Sequence, residues 1–65
     1  MVYKIIKTTD GKNKGLQIDI KEDSISGIMN QIEKFLEIKI DSMYITYPHI
    51  QINNANYTII MKEVN

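Results

Sequence analysis

The chain has no cysteine, no arginine and no tryptophan, and it has only one proline and one histidine. The absence of cysteine excludes disulfides, zinc–thiolate sites and thiol nucleophiles, and it fits a reducing compartment. The absence of arginine removes the planar fork that reads guanine edges and binds phosphate through two parallel hydrogen bonds. Because eight lysines balance eight acidic residues, the net charge is zero. We therefore expect no binding to duplex nucleic acid.

Long apolar runs are also lacking. The start, MVYKII, has no basic region before an extended apolar stretch, so no secretion signal or membrane span is predicted and a cytoplasmic location is expected. At 65 residues the chain is predicted to form one domain, residues 1 to 65, near the size at which a single core is marginal. The abundance of isoleucine, lysine and asparagine suggests an AT-rich source such as a low-GC bacterium or its phage.

Residues 2 to 20 predict a β-hairpin. The segment VYKIIKTT is rich in β-formers and runs into DGKNKG, a turn with glycine near both ends. Leu16, Ile18 and Ile20 then alternate with polar residues, which is the pattern of a half-buried strand. A phosphate-binding loop is the alternative for DGKNKG, but the segment opens into a strand and lacks the required spacing.

Residues 24 to 37 predict a helix. Apolar residues recur at spacings of three and four, and Asp23 or Ser24 can cap the N-terminus. We expect this apolar stripe to cover the second strand. The predicted core contacts join Ile28, Ile32 and Phe35 of the helix with Leu16, Ile18 and Ile20 of the strand.

The last third of the chain predicts two more strands. Residues 43 to 47 alternate in polarity, and Pro48 ends or bends that strand because it has no amide hydrogen to donate. Residues 53 to 56 form a turn before the final strand, at about residues 57 to 63. Ile50 and Ile52 pack under this return, either as a short extra strand or as an ordered loop.

The order strand, strand, helix, strand, strand predicts an α+β, two-layer sandwich with one helix on a four-stranded sheet. The first half, MVYKIIKTTDGKNKGLQIDIKEDSISGIMNQIEKF, resembles the β-grasp (ubiquitin-like) fold in layout: a leading strand, a TTDGK turn, an alternating strand, a capped helix. This resemblance implies a last strand parallel to the first, placed between the first and third strands. A meander of two antiparallel hairpins is the alternative. The ending MKEVN lacks paired glycines, so conjugation and sulfur-carrier roles do not carry over.

Residues suited to catalysis are sparse. His49 is the only histidine, no cysteine can pair with it, and it follows Pro48 in a predicted turn. A zinc site needs three or four convergent ligands, which one histidine and dispersed carboxylates do not supply. We therefore expect no enzymatic activity, no metal and no cofactor.

Two predicted strands, YKIIK and YTIIM, each carry adjacent isoleucines, and neighbouring residues of a strand point to opposite faces. One isoleucine of each pair then faces away from the helix. We assign these positions to Ile6 and Ile60, with the reverse parity as the alternative. With Val2 and Tyr44 they form a predicted interface.

Tyr47 and His49 are secondary candidates for this interface. The rival interpretation is that residues 48 to 54 fold across the same face and bury it.

These features favour a non-enzymatic protein–protein interaction module that binds another protein or a second copy of itself, with a homodimer plausible. An accessory or inhibitory protein of a phage or mobile element, acting by occupying a partner's surface, is one such module. The alternative function is binding of a small nucleotide or single-stranded nucleic acid, because four tyrosines can stack bases and Lys12 and Lys14 can contact phosphate.

Overall fold

The computed structural model describes residues 1 to 64 as an α+β fold with one helix and five strands. The elements, in chain order, are β1 (Val2–Thr8), β2 (Gln17–Asp19), α1 (Ile25–Leu36), β3 (Ser42–Thr46), β4 (His49–Asn53) and β5 (Thr58–Val64). The helix agrees with the predicted span of residues 24 to 37. The predicted four-strand count is wrong, because residues 49 to 53 form a fifth strand, which is the first of the two alternatives given for Ile50 and Ile52.

The five strands form one open sheet in the order β2-β1-β5-β4-β3, and every neighbouring pair is antiparallel. The first and last strands are neighbours, as the β-grasp resemblance implied. They run in opposite directions, however, so the parallel pairing implied by the β-grasp resemblance is wrong. The physical reason is β4, which adds one more reversal of the chain before β5. The β1–β2 hairpin and the β3–β4–β5 meander instead follow the antiparallel alternative.

The two edges of the sheet differ. One edge is β2, which has only three residues, and the other is β3, which has five. β3 joins β4 through a turn at Tyr47 and Pro48, whose connecting peptide bond is cis. Among residues 1 to 64, each edge strand has a strand neighbour on one side only.

The core lies between α1 and one face of the sheet. Its side chains are almost all isoleucine: Tyr3, Ile5, Ile18, Ile20, Ile32, Ile40, Ile50, Ile52, Ile59 and Met61 are buried. The described residues bury no polar or charged side chain. Burial of apolar area at about 25 cal/mol per Å² is therefore the main stabilising contribution.

Local signals set the limits of α1. The Ser24 side chain accepts a hydrogen bond from the Gly27 amide at 3.0 Å, which satisfies one of the donors left open at a helix start. At the other end Glu37 adopts the left-handed conformation, φ 56°, and its amide bonds the Glu33 carbonyl. Helix position is fixed laterally by Gln31, which donates to the Asp19 carbonyl and accepts from the Lys21 amide.

Two of the predicted core contacts are wrong. Ile32, Ile18 and Ile20 are buried and Ile28 is partly buried against them, but Phe35 is 48% exposed and Leu16 is 39% exposed. The exposure of Phe35 follows from its side of the helix. Gln31 contacts the edge strand β2, and Phe35 follows Gln31 by one helical turn on the same side of α1. Phe35 is therefore placed toward the β2 edge, outside the packed core. Leu16 immediately precedes β2, where its carbonyl accepts a hydrogen bond from the Ile5 amide at 2.9 Å.

The helix α1 has twelve residues. Within residues 1 to 64, no helix has the length and apolar character needed to cross a membrane.

Ile32 and Phe35 test this assignment of the core. Ile32→Ala should lower the free energy of unfolding by about 2–5 kcal/mol, because it leaves a cavity under the helix. Phe35→Ala, the matched change on the same helix, should cost about 1 kcal/mol or less. Urea denaturation of both variants measures the difference, and equal losses would contradict the edge position of Phe35.

Candidate interaction surface on the outer face of the sheet

The sheet face opposite α1, here called the outer face, is not covered by any of the described residues. The rival prediction that residues 48 to 54 fold across it is wrong, because Pro48 lies in a turn and residues 49 to 53 are β4. Ile59 is 3% exposed on the core side, and its neighbour Ile60 is half-buried on the outer face. Ile5 is buried in the same way, while Ile6 is 39% exposed. The sequence assigned Ile6 and Ile60 to the face away from the helix, and the structure places both there.

An irregularity in β1 shapes this face. Ile5 pairs with Met61 and Lys7 pairs with Ile60, so one extra residue, Ile6, is inserted in β1. Such a bulge re-aims side chains locally. Here it lets both Ile6 and Lys7 reach the outer face next to Ile60.

A shallow depression of about 350 Å³ lies on the outer face. We call it the outer depression, and its lining residues are Ile6, Lys7, Tyr44, Thr46, His49, Gln51 and Ile60. Its exposed lining is mostly apolar, with Ile6 and Ile60 on the side of β1 and β5, and Tyr44, at 58% exposed, forms its side toward the β3 edge. The depression therefore combines aliphatic, aromatic and basic groups on one rigid sheet.

A row of basic side chains crosses the sheet beside the depression. Lys4 pairs with Lys62 across β1 and β5, and Lys62 pairs with His49 across β5 and β4. All three side chains are exposed. We call them the lysine row. Like charges placed directly opposite in a sheet destabilise it.

The strands carry only two carboxylates, and neither offsets the lysine row. Asp19 lies at the end of the outer face, 3.3 Å from the Met1 amino group. Glu63 pairs with Tyr3, whose side chain is in the core, so Glu63 points to the helix side. The outer face is therefore basic although the whole chain is neutral.

A polar network borders the depression on the other side. The Asn53 carbonyl oxygen Oδ1 accepts hydrogen bonds from Thr58 Oγ1 at 3.1 Å and from Gln51 Nε2 at 3.2 Å. Asn53 Nδ2 donates to Ser42 Oγ at 3.1 Å. This network joins β3, β4 and β5 and fixes the polar edge of the depression.

The structure brings together most of the predicted interface residues. Ile6, Tyr44, Ile60 and His49 all line the outer depression. Val2 is on the outer face but pairs with Val64 at the end of the sheet, so the lysine row separates it from the depression. Their role as an interface stays a prediction.

Tyr47, the other secondary candidate, is not on the outer face. The Glu63 carboxylate raises the pKa of Tyr47, first by accepting a hydrogen bond from its hydroxyl and second through its negative charge. Burial, followed by the charge of Glu63, likewise raises the pKa of Tyr3. Because Glu63 and Tyr3 point to the helix side, Tyr47 belongs to that side.

The sequence interpretation missed Lys4 and Lys62 as parts of the site. The signal was present, because each lies two residues from an outer-face isoleucine and so shares its face. Gln51 and Thr46 were also missed, since they become neighbours of Ile60 and His49 only once β4 is known to be a strand.

A second, smaller groove of about 240 Å³ lies on the helix side, at the end of the sheet where α1 begins. Ile28, Ile45 and Ile50 contribute to its apolar lining, and Glu22 and Asp23 give it two acidic groups. It is therefore opposite in charge to the outer depression.

Among residues 1 to 64, no cluster of three or more histidine or acidic side chains is arranged to hold a metal ion. Comparison of the chain with protein families, with curated proteins and with solved structures gave no match.

The lysine row predicts a gain in stability on charge reversal. Lys62→Glu should raise the free energy of unfolding by about 0.2–1 kcal/mol, because it replaces the like-charge pair Lys4–Lys62 by a pair of opposite charges. Lys14→Glu, in the exposed loop before β2, is the control and should change stability by less than about 0.5 kcal/mol. Urea denaturation at low and high salt measures both, and the gain should shrink as salt screens it. A loss of stability in Lys62→Glu would contradict the repulsion within the lysine row.

The Tyr47–Glu63 pair predicts a change in titration. Glu63→Gln should lower the pKa of Tyr47 toward its ordinary value, because it removes both the negative charge and the charge-assisted hydrogen bond. NMR titration of the tyrosine ring signals at alkaline pH measures this. An unchanged Tyr47 titration would show that the two groups are not in contact.

Proposed function

We propose that the protein is a non-enzymatic interaction module that binds another protein through its outer face and acts by occupying the partner's surface. The outer depression, centred on Ile6 and Ile60, is the contact region. Tyr44 and His49 complete it on the side of β3 and β4.

The observation that carries this proposal is the pair of aliphatic side chains, Ile6 and Ile60, on a sheet face that none of the described residues covers. An exposed apolar patch rimmed by polar groups on a small domain is typical of a protein interaction site. Ile6 and Ile60 are held there by the paired strands β1 and β5, so the surface is formed before any partner arrives. Such preorganisation lowers the entropy lost on binding.

Binding of a small nucleotide or single-stranded nucleic acid is the second candidate function. Tyr44, with the nearby lysines, is the observation that favours it. The other tyrosines weaken it: Tyr3 is buried, Tyr57 packs against the core and Tyr47 contacts Glu63. Lys12 and Lys14 lie in the β1–β2 loop, and neither lines the outer depression.

Paired lysine substitutions at Ile59 and Ile60 test the proposal. Ile59→Lys should unfold the domain, because it places an unpaired charge in the core. Ile60→Lys should leave the fold intact, as followed by circular dichroism, while it introduces a charge into the centre of the depression. A partner captured by the immobilised native protein should then be lost with Ile60→Lys.

The control is Lys34→Glu, which changes an exposed charge on α1, on the opposite side of the sheet, and should retain the partner. Unfolding of both isoleucine variants would show that the outer face is interior and would remove the basis of the proposal. Retention of the partner by folded Ile60→Lys would place the contact elsewhere on the protein.

A further inference from the structure

We propose that the outer face recognises an acidic protein segment that carries one apolar side chain among its carboxylates. This inference rests on the proposed function and adds the chemistry of the partner. In the complex the apolar side chain occupies the outer depression and the carboxylates pair with the lysine row.

The first reason for an acidic partner is the charge of the outer face. Lys4, Lys62 and His49 are direct neighbours across three strands, and the one outer-face carboxylate of the strands, Asp19, is beside the Met1 amino group. The row therefore has no counter-charge within the sheet. An arrangement that disfavours the free protein is typical of a binding site, where a ligand removes the repulsion.

The spacing carries the second step. Side chains on one face of a strand are two residues apart, which places Lys62 and Ile60 about 7 Å from each other along β5. Lys7 adds a further cation at the other side of the depression. A matching ligand thus presents its carboxylates within one or two residues of its apolar group.

The shape and charge of this chain argue against a second copy as the occupant. If two outer faces packed together, their lysine rows would carry the same charge and would repel each other. The acidic groove on the helix side has the opposite sign, but it and the outer depression are both concave, so neither fills the other. A convex acidic segment from another protein satisfies charge and shape together.

Nucleic acid fits less well. Its phosphates would suit the lysines, but the depression offers the bases only Tyr44 and His49 as planar side chains, and the aliphatic Ile6 and Ile60 line the side of β1 and β5. The chain also has no arginine for bidentate contacts with phosphate.

The experiment is an NMR titration of the full chain at low salt. The probe is a short synthetic peptide with one phenylalanine between runs of glutamate. We expect shifts confined to the outer face, around Ile6, Tyr44 and Ile60, and binding that weakens as salt is added. The double variant Lys4→Glu/Lys62→Glu should bind roughly tenfold more weakly or not at all.

Matched controls separate this result from general attraction between opposite charges. Lys21→Glu/Lys34→Glu makes the same change in net charge on the helix side, because Lys34 is on α1 and the Lys21 amide bonds the Gln31 side chain of α1. This variant should bind the peptide nearly as well as the native protein. The same peptide with alanine in place of phenylalanine should bind more weakly, because it leaves the depression unfilled.

Each other outcome overturns the inference. These outcomes are equal losses in the two double variants, no outer-face shifts at low salt, tighter binding of oligo(dT) than of the peptide, or self-association in sedimentation that the Lys4→Glu/Lys62→Glu variant abolishes. If a glutamine version of the peptide binds as well as the glutamate version, the acidic partner is rejected while the proposed function stands. The Ile60→Lys capture experiment decides the proposed function independently.

Discussion

The pairing of β1 with β5 is the contact on which the rest of the structure depends. These strands come from opposite ends of the described chain and join the β1–β2 hairpin to the β3–β4–β5 meander. The register sets Ile5 opposite Met61 in the core, and the inserted residue in β1 sets Ile6 and Lys7 beside Ile60 on the other side. Core and candidate interaction surface are therefore two faces of one strand pair.

The second constraint is that a single helix of twelve residues covers a single face of a five-stranded sheet. Because the core contains almost only isoleucine, and α1 contributes Ile32 as its one fully buried side chain, the helix acts mainly as a lid. Among residues 1 to 64 no element covers the other face, yet that face keeps aliphatic side chains at Ile6 and Ile60. The fold also places lysines on the outer face and most acidic residues elsewhere. The electrostatic potential at the lysine row is therefore positive although the net charge of the chain is zero.

The sequence predicted the features that depend on local periodicity. The limits of α1 and the division of each isoleucine pair between the two faces follow from spacing along the chain. Ser24 was one of two candidate caps, and the placement of Ile5 and Ile59 in the core was one of two possible parities; the structure has both. It did not predict the direction of β5 relative to β1, because that depends on whether residues 49 to 53 pair with two strands, which is a long-range property. Phe35 has the periodicity of a core residue, and only the width of the sheet places it outside. The net charge does not reveal the lysine row, because the row depends on which face of the sheet each lysine side chain takes.

The open edge at β3 gives the sheet one direction in which it can grow. Strand addition to an exposed edge forms main-chain hydrogen bonds that do not depend on the side chains of the added segment. β3 carries no lysine, no proline and no bulge, which are the features that usually block such pairing. An added strand at this edge would lie beside Tyr44 and Thr46 and would close the open side of the outer depression. A partner that binds as a strand would thus border the outer depression on the β3 side and make it deeper.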